Sequence, residues 1–187
     1  MSNIFAKAVA FAMTAHEGQT RKDGGWYILH PLEDAVIVST MTNDLEVLAA
    51  AVLHDTVEDT DVTAQDILDN FGERIADLVA HETENKHPEI PAGDSWKIRK
   101  TESLAVLKDS GRDSKMLWLG DKLSNMRALA RGYDQLGEAV FNWFNEKNPK
   151  EQRWYHATIL EYISELSDYP AYQEYQTLFN HVFDQYK

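Results

Sequence analysis

LAAAVLHDTVEDT, residues 48–60, decides how this chain is read. An apolar run ends on His54, and Asp55, Glu58 and Asp59 follow at once. Carboxylates at the end of a buried segment are costly unless they are paired or bind a metal. His54 and Glu58 are four residues apart, and so are Asp55 and Asp59. On a helix, both pairs would lie on neighbouring strips of one face. For His-Asp alone, a helix end running into solvent beside a core histidine would suffice. With Glu-Asp one turn later, a metal site is the better reading.

Working outward, the period is helical almost everywhere. Residues 44–55 are apolar on all sides, which predicts a central helix. Residues 2–16 place Phe5, Val9, Ala12 and Met13 on one face. Pro31 opens a helix over 31–41. DVTAQDILDNFG predicts a short helix ended by Gly72, with Asp61 capping its start. Further helices are expected at 73–85, 94–109, 113–131, 134–146, 149–166 and 171–186, with a Pro/Gly loop, KHPEIPAGDS, between the first two of these. No run alternates polar and apolar residues between turns, so strands are minor at most. The expected fold is all-α, one domain over 1–187.

Composition narrows the function. The chain has 187 residues, 43% hydrophobic and 26% charged, as a globular protein does. No apolar stretch approaches the ~18–20 residues that span a bilayer, so no membrane is implied. IFAKAVAFAM carries Lys7 and lacks a small-residue cleavage site, which reads as an amphipathic helix and not a signal peptide. There is no cysteine, which excludes disulfides, Cys-ligated zinc and a Cys nucleophile, and fits a reducing cytoplasm. A net charge of −13 argues against nucleic acid. An anionic substrate would need a metal or a local basic patch. Eight Tyr and Trp residues of the C-terminal third, Trp143, Trp154, Tyr155, Tyr162, Tyr169, Tyr172, Tyr175 and Tyr186, read as packing aromatics first, with ligand stacking or a dimer face as the lesser reading.

Two further segments extend the candidate site. YILHP holds His30 at a helix start, and MLWLGDKLSNMRAL holds Asp121 in an otherwise apolar helix with Asn125 one turn on. The order His, His-Asp, Asp over several helices resembles the HD-domain metal-dependent phosphohydrolases. More narrowly, AHEGQTRKDGGWYILHP, HDTVEDTDVT with its following Phe-Gly, and GDKLSNMRAL are similar to segments of the RelA/SpoT hydrolase domain. The likeness covers about residues 1–131, and residues 131–187 read as divergent C-terminal helices. A chain with no synthetase segment is similar to the small alarmone hydrolases and the metazoan SpoT homologue.

The resemblance implies an HD-domain helical bundle with a helical C-terminal extension. It implies that His30, His54, Asp55 and Asp121 hold one Mn²⁺, with Fe²⁺ or Mg²⁺ as alternatives. Glu58 and Asp59 would act on the attacking water, and Arg21, Lys22 and Asn125 would contact the nucleotide. The reaction would remove pyrophosphate from the 3′ position of (p)ppGpp. The partner implied is a small-molecule nucleotide, with the protein a monomer or an oligomer. Another nucleotide, such as a monophosphate or the 2′-phosphate of NADPH, is the alternative substrate. A sensor without turnover is a third reading, against which the Glu58-Asp59 pair speaks. Departures from the pattern are Gly25 and Trp26 for Glu-Pro, Trp118 for Lys, Gly120 for Ala and Ser124 for His. Trp26 and Trp118 are expected in the nucleotide pocket or the core. Lys97, Arg99 and Lys100 are either a solvated face or phosphate contacts.

Overall fold

The computed structural model describes residues 3–22 and 24–187. Its helices follow in chain order: α1 (Ile4–Ala15), α2 (Leu29–Val38), α3 (Leu45–Leu53), α4 (Thr56–Asp59), α5 (Ala64–Phe71), α6 (Glu73–Glu82), α7 (Ala92–Asp109), α8 (Arg112–Leu136), α9 (Pro149–Tyr162) and α10 (Pro170–Phe183). Among the described residues there is no strand, and the β pairing is one isolated bridge, Thr20 to Trp26. The fold is all-α, as expected. No described helix is long and apolar enough to cross a membrane.

Local chemistry sets the helix starts. The Asn3 side chain accepts from the Phe5 and Ala6 amides, and Asp44 accepts from Glu46. At α5 the cap is Thr63, in a reciprocal box with Asp66, and not Asp61. Gly72, at φ 85°, lets the chain turn from α5 into α6, a conformation that favours glycine.

α3 is the centre. Val47, Ala49, Ala50, Ala51, Val52 and Leu53 are buried, and the helix packs against α1, α2, α6 and α8. Its alanines let neighbours approach closely, while Val47, Val52 and Leu53 each contribute roughly 1.5–3 kcal/mol by burial. The core continues without interruption from Ala8 of α1 to Phe183 of α10.

Several expectations change, beginning with the helix predicted over 31–41, which runs over Leu29–Val38 with Pro31 in its first turn. The helix predicted over 44–55 ends at Leu53. His54 and Asp55 form a turn, and the Thr56 hydroxyl donates to the Leu53 carbonyl at 2.7 Å, drawing it away from helix continuation. Phe5, Val9 and Ala12 face the core as expected, but Met13 is 55% exposed, because the most buried line of α1 runs through Ala8 and Ala12. The helix expected over 134–146 is instead the end of α8 and a 3-10 helix, Gly137–Trp143. Gly132 makes room for that fold-back: a Cβ there would stand 2.7 Å from the Trp143 ring. The predicted helices over 149–166 and 171–186 likewise finish in short 3-10 turns. The start expected at residue 2 lies outside the described residues.

Candidate metal centre and active site

Three elements converge beneath α3. α2 carries His30 in its first turn, the α3 terminus carries His54, and the middle of α8 carries Asp121. A ligand atom from each lies within 4.8 Å of the others, and all three residues are buried. His30 Nε2 is 3.1 Å from Asp121 Oδ1, and His54 Nε2 is 3.8 Å from the same oxygen. Asp55 adjoins this group, its Oδ2 3.4 Å from His30 Nε2 and 3.0 Å from His54 Nε2. The same Oδ2 also accepts the Tyr27 hydroxyl at 2.7 Å.

Proton bookkeeping fixes what the imidazoles offer. His54 Nδ1 lies 2.7 Å from the Ala51 carbonyl, which can only accept, so Nδ1 carries the proton. His30 Nδ1 lies 2.8 Å from Ser124 Oγ, whose single proton goes to Glu33 Oε2 at 2.7 Å, so His30 also donates from Nδ1. In its neutral form each ring would therefore turn an Nε2 lone pair toward carboxylate oxygens. Nε2 of His54 is buried with no hydrogen-bond partner. Lone pairs facing lone pairs call for a cation between them. Burial alone would disfavour the His54 imidazolium, yet Asp55, with Asp34 and Asp121, holds its pKa well above the ordinary range. The Asp55 carboxyl is held well below its range by His54 and His30 against the opposing effect of burial. A divalent ion supplies the positive charge that the site otherwise takes from protons. The mixed imidazole and carboxylate set suits Mn²⁺, Fe²⁺ or Mg²⁺ better than a thiolate-seeking metal.

The centre forms part of the wall of a cavity of about 520 Å³. Arg21, Lys22, Arg99, Lys100 and Lys122 bring cations to its wall, against a chain charge of −13. Asp55, Glu58, Asp59, Glu82, Glu84 and Asp121 share that wall, so the cations there are interleaved with carboxylates and do not form a uniformly basic patch. Glu58 and Asp59 line the same cavity. Burial, reinforced by Asp55 and Glu84, pushes the Glu58 carboxyl up to about 7, while its Oε2 accepts from the Glu84 amide at 3.1 Å. Asp59 Oδ2, at 2.6 Å, competes with Asp55 Oδ2, at 2.7 Å, for the one Tyr27 hydroxyl proton, and the Lys86 ammonium holds Asp59 Oδ1 at 2.6 Å. His16 supports this edge: it stacks on Tyr27 at 4.8 Å and contacts Gln19, which donates to the Asp59 carbonyl.

The other sequence candidates sort by geometry. Arg21 donates to Asn125 Oδ1 at 2.7 Å, and Asn125 donates in turn to Asp121 Oδ1, so these two brace the carboxylate as well as lining the cavity. Lys22 lies over the Phe144 ring at 4.7 Å. The basic run splits: Arg99 and Lys100 pair with Glu84 in the cavity wall, while Lys97 pairs with Glu151 and covers Trp154. Trp118 is buried and reaches the cavity, whereas Trp26 is 63% exposed and lines neither cavity nor core.

Several lining residues escaped the sequence reading. Trp143 and Tyr155, read chiefly as packing aromatics, line the cavity with Phe144 and His156. Lys122 pairs with Asp121 and lies 4.6 Å above the Trp118 ring. A buried cation beside a carboxylate in GDK was the available signal. Nothing local marks the aromatics, because 3-10 folding and tertiary contact bring them to the site.

Comparison with known proteins agrees with this architecture. A guanosine-3′,5′-bis(diphosphate) 3′-pyrophosphohydrolase of Aquifex aeolicus is 38% identical over 123 residues, 66% of this chain and 17% of that protein. The chain thus spans under a fifth of the length of the curated relatives it matches. Among solved structures, lmo0812 of Listeria monocytogenes EGD-e superposes with TM-score 0.71 at 31% identity, over 83% of this chain and 94% of that one. The structure titled as a metazoan ortholog of SpoT that hydrolyzes ppGpp superposes with TM-score 0.74 at 24% identity, over 100% of this chain and 97% of that one, a likeness of fold. Residues 8–147 match the HD domain, the stretch that carries both histidines and Asp121. With that match over most of its length, the chain belongs to the HD domain family.

Proposed function

We propose that the protein is a cytoplasmic, Mn²⁺-dependent phosphohydrolase that removes pyrophosphate from the 3′ position of (p)ppGpp. One observation carries the reading. Two Nε2 lone pairs and the Asp121 carboxylate converge in the wall of a cavity that also carries cations and two acids. The activity named for the Aquifex relative supports the choice of nucleotide.

His30, His54, Asp55 and Asp121 would hold the ion. When bound, it polarises a phosphoryl oxygen and makes water acidic. The remaining work belongs to side chains. Glu58, with a carboxyl near 7, takes the proton of the attacking water. Asp59, held by Lys86 and within reach of the Tyr27 hydroxyl, orients that water beside it. The water oxygen bonds to the phosphorus attached to the ribose 3′-oxygen, that P–O bond breaks, and the 3′-oxygen leaves as a hydroxyl with the proton that Glu58 took from the water. Pyrophosphate and GDP or GTP result. Arg21 and Lys22 pair with phosphates, and Tyr27, Trp143 and Phe144 offer apolar faces to a base.

The test is hydrolysis of ppGpp, pppGpp, NADPH and nucleoside monophosphates with Mn²⁺, reading pyrophosphate against phosphate. Pyrophosphate from ppGpp is expected. Release of phosphate from another nucleotide, with ppGpp untouched, would overturn the substrate. Binding without turnover throughout the panel would overturn the enzyme.

A further inference from the structure

The Nε2 atoms of the histidines face the metal position. The Nδ1 of His30 faces away, and a chain of contacts leads from it across three helices. His30 Nδ1 donates to Ser124 Oγ, and Ser124 donates to Glu33 Oε2. Glu33 Oε1 accepts from Arg127 Nη1 at 2.9 Å. Arg127 Nε and Nη2 then donate to the two Glu174 oxygens of α10, both at 2.7 Å, a bidentate clamp. The inner end, His30 and Ser124, is buried, while Glu33, Arg127 and Glu174 are each about a third exposed. Ion pairs at that exposure add little to stability, typically ~0–1 kcal/mol. Their distinguishing feature is where they lead.

We propose that Glu33 is a positioning residue for the metal centre, fixing the tautomer and ring plane of His30 through Ser124, and that α10 supports it through the Arg127–Glu174 clamp. A neutral histidine ligand must keep its proton on the nitrogen that points away from the ion. Ser124 can accept that proton only while its own is taken elsewhere, and Glu33 takes it. Without Glu33, the hydroxyl is free to rotate and to donate to His30 Nδ1, which selects the tautomer with Nε2 blocked. The clamp keeps Glu33 aimed at Ser124, which gives the C-terminal helices a part in the site. The inference rests on reading His30 as a metal ligand.

The test measures Mn²⁺ affinity by calorimetry for the full chain and the Ser124→Ala, Glu33→Ala, Glu33→Gln and Glu174→Ala variants, with thermal unfolding of the metal-free form beside it. Outer supports of metal-bound histidines typically contribute ~10–100-fold in affinity. Ser124→Ala and Glu33→Ala are expected to bind Mn²⁺ within that range more weakly, with metal-free unfolding temperatures near that of the parent. Glu33→Gln keeps an acceptor for Ser124 and should recover most of the affinity. Glu174→Ala should show a smaller loss. If the parent binds Mn²⁺ and Ser124→Ala and Glu33→Ala bind it equally well, the positioning role is overturned while the metal site stands. An unchanged Glu174→Ala overturns the contribution of α10. A parent that binds no Mn²⁺ overturns the metal reading itself, and this inference with it.

Discussion

Gly120→Ala is the substitution whose outcome the packing decides most sharply. In an exposed helix interior, replacing glycine with alanine gains roughly 1 kcal/mol. Gly120 sits in the middle of α8, one residue before Asp121, and faces α2. A Cβ there would lie 1.9 Å from Asp34 Oδ1 and 2.8 Å from Val38 Cγ2. Ordinary contact is roughly 3.5 Å, so the Asp34 carboxyl must retreat by about 1.5 Å. Asp34 is fully buried and has no solvent to retreat into. It would also be displaced from His54 Nδ1, 3.2 Å away. Overpacking of this kind costs about 1–3 kcal/mol, and the severity of the clash places it at the upper end. Net of the helix gain, Gly120→Ala should destabilise by about 2 kcal/mol, a fall of roughly 4–8 °C in Tm for a chain of this size. Reversible urea unfolding followed by circular dichroism measures it, with m as the check on two-state behaviour. In an Asp34→Ala background the worst clash is absent, leaving Val38. There the same substitution should be close to neutral, a coupling of at least ~1 kcal/mol. A Gly120→Ala protein that is more stable than the parent, or equally destabilised in both backgrounds, would refute the assignment of Gly120 as the opening that admits Asp34.

The remaining expectations concern the site and its wall. Glu58→Gln should bind Mn²⁺ as the parent does while kcat falls about 10²–10⁴-fold, since the water loses its proton acceptor. The parent kcat should decline as pH falls below about 7, where Glu58 protonates, and the residual activity of Glu58→Gln should lack that limb. Asp121→Ala should lose metal affinity and also stability, because it leaves the half-buried Lys122 ammonium without its ion-pair partner. Metal-dependent turnover at the parent rate in that variant would sink the ligand assignment. Burial, helped by Lys122 and Lys100, lowers the His156 pKa to about 3, against roughly 6.5 in the unfolded chain. The unfolded state therefore binds the proton first as pH falls. The stability from neutral His156 is complete above about 6.5 and is lost between there and about 3, amounting to ~2 kcal/mol between pH 8 and pH 5. His156→Gln should remove that part of the pH dependence, and an unchanged slope would mean that His156 is not buried neutral.

Most of the helix ladder was legible because the apolar character of α3 and the α5 stop at Gly72 are local signals, although the start read at Pro31 falls two residues inside α2. The convergence of His30, His54 and Asp121 was legible for a different reason. A histidine or carboxylate in an apolar segment announces a cost that something must offset, and His30, His54 and Asp121 each stand in such a segment. Three features were not legible. The turn at His54–Asp55 depends on a threonine hydroxyl taking a helix carbonyl, which periodicity does not register. The aromatic wall depends on the 3-10 fold-back after Leu136, for which Gly132 clears the space. Gly120 and Ser124 were visible only as departures from a pattern, with no reason attached.

Those last two departures share one explanation in α2. Glu33 and Asp34 are adjacent, yet they serve different histidines: Glu33 reaches His30 through Ser124, and Asp34 stands beside His54 in the space that Gly120 leaves. A residue's fitness as a ligand lies in its own chemistry and survives reading one position at a time. Its support does not: Ser124 meets Glu33 across 91 positions, and Arg127 meets it across 94. At such separations neither residue predicts the other, and a serine in α8 becomes meaningful only once a particular acid of α2 is seen to take its proton. The substitutions at 120 and 124 are therefore better understood as pairs, Gly120 with Asp34 and Ser124 with Glu33. Changing one member without the other should perturb the histidine between them before it perturbs the fold.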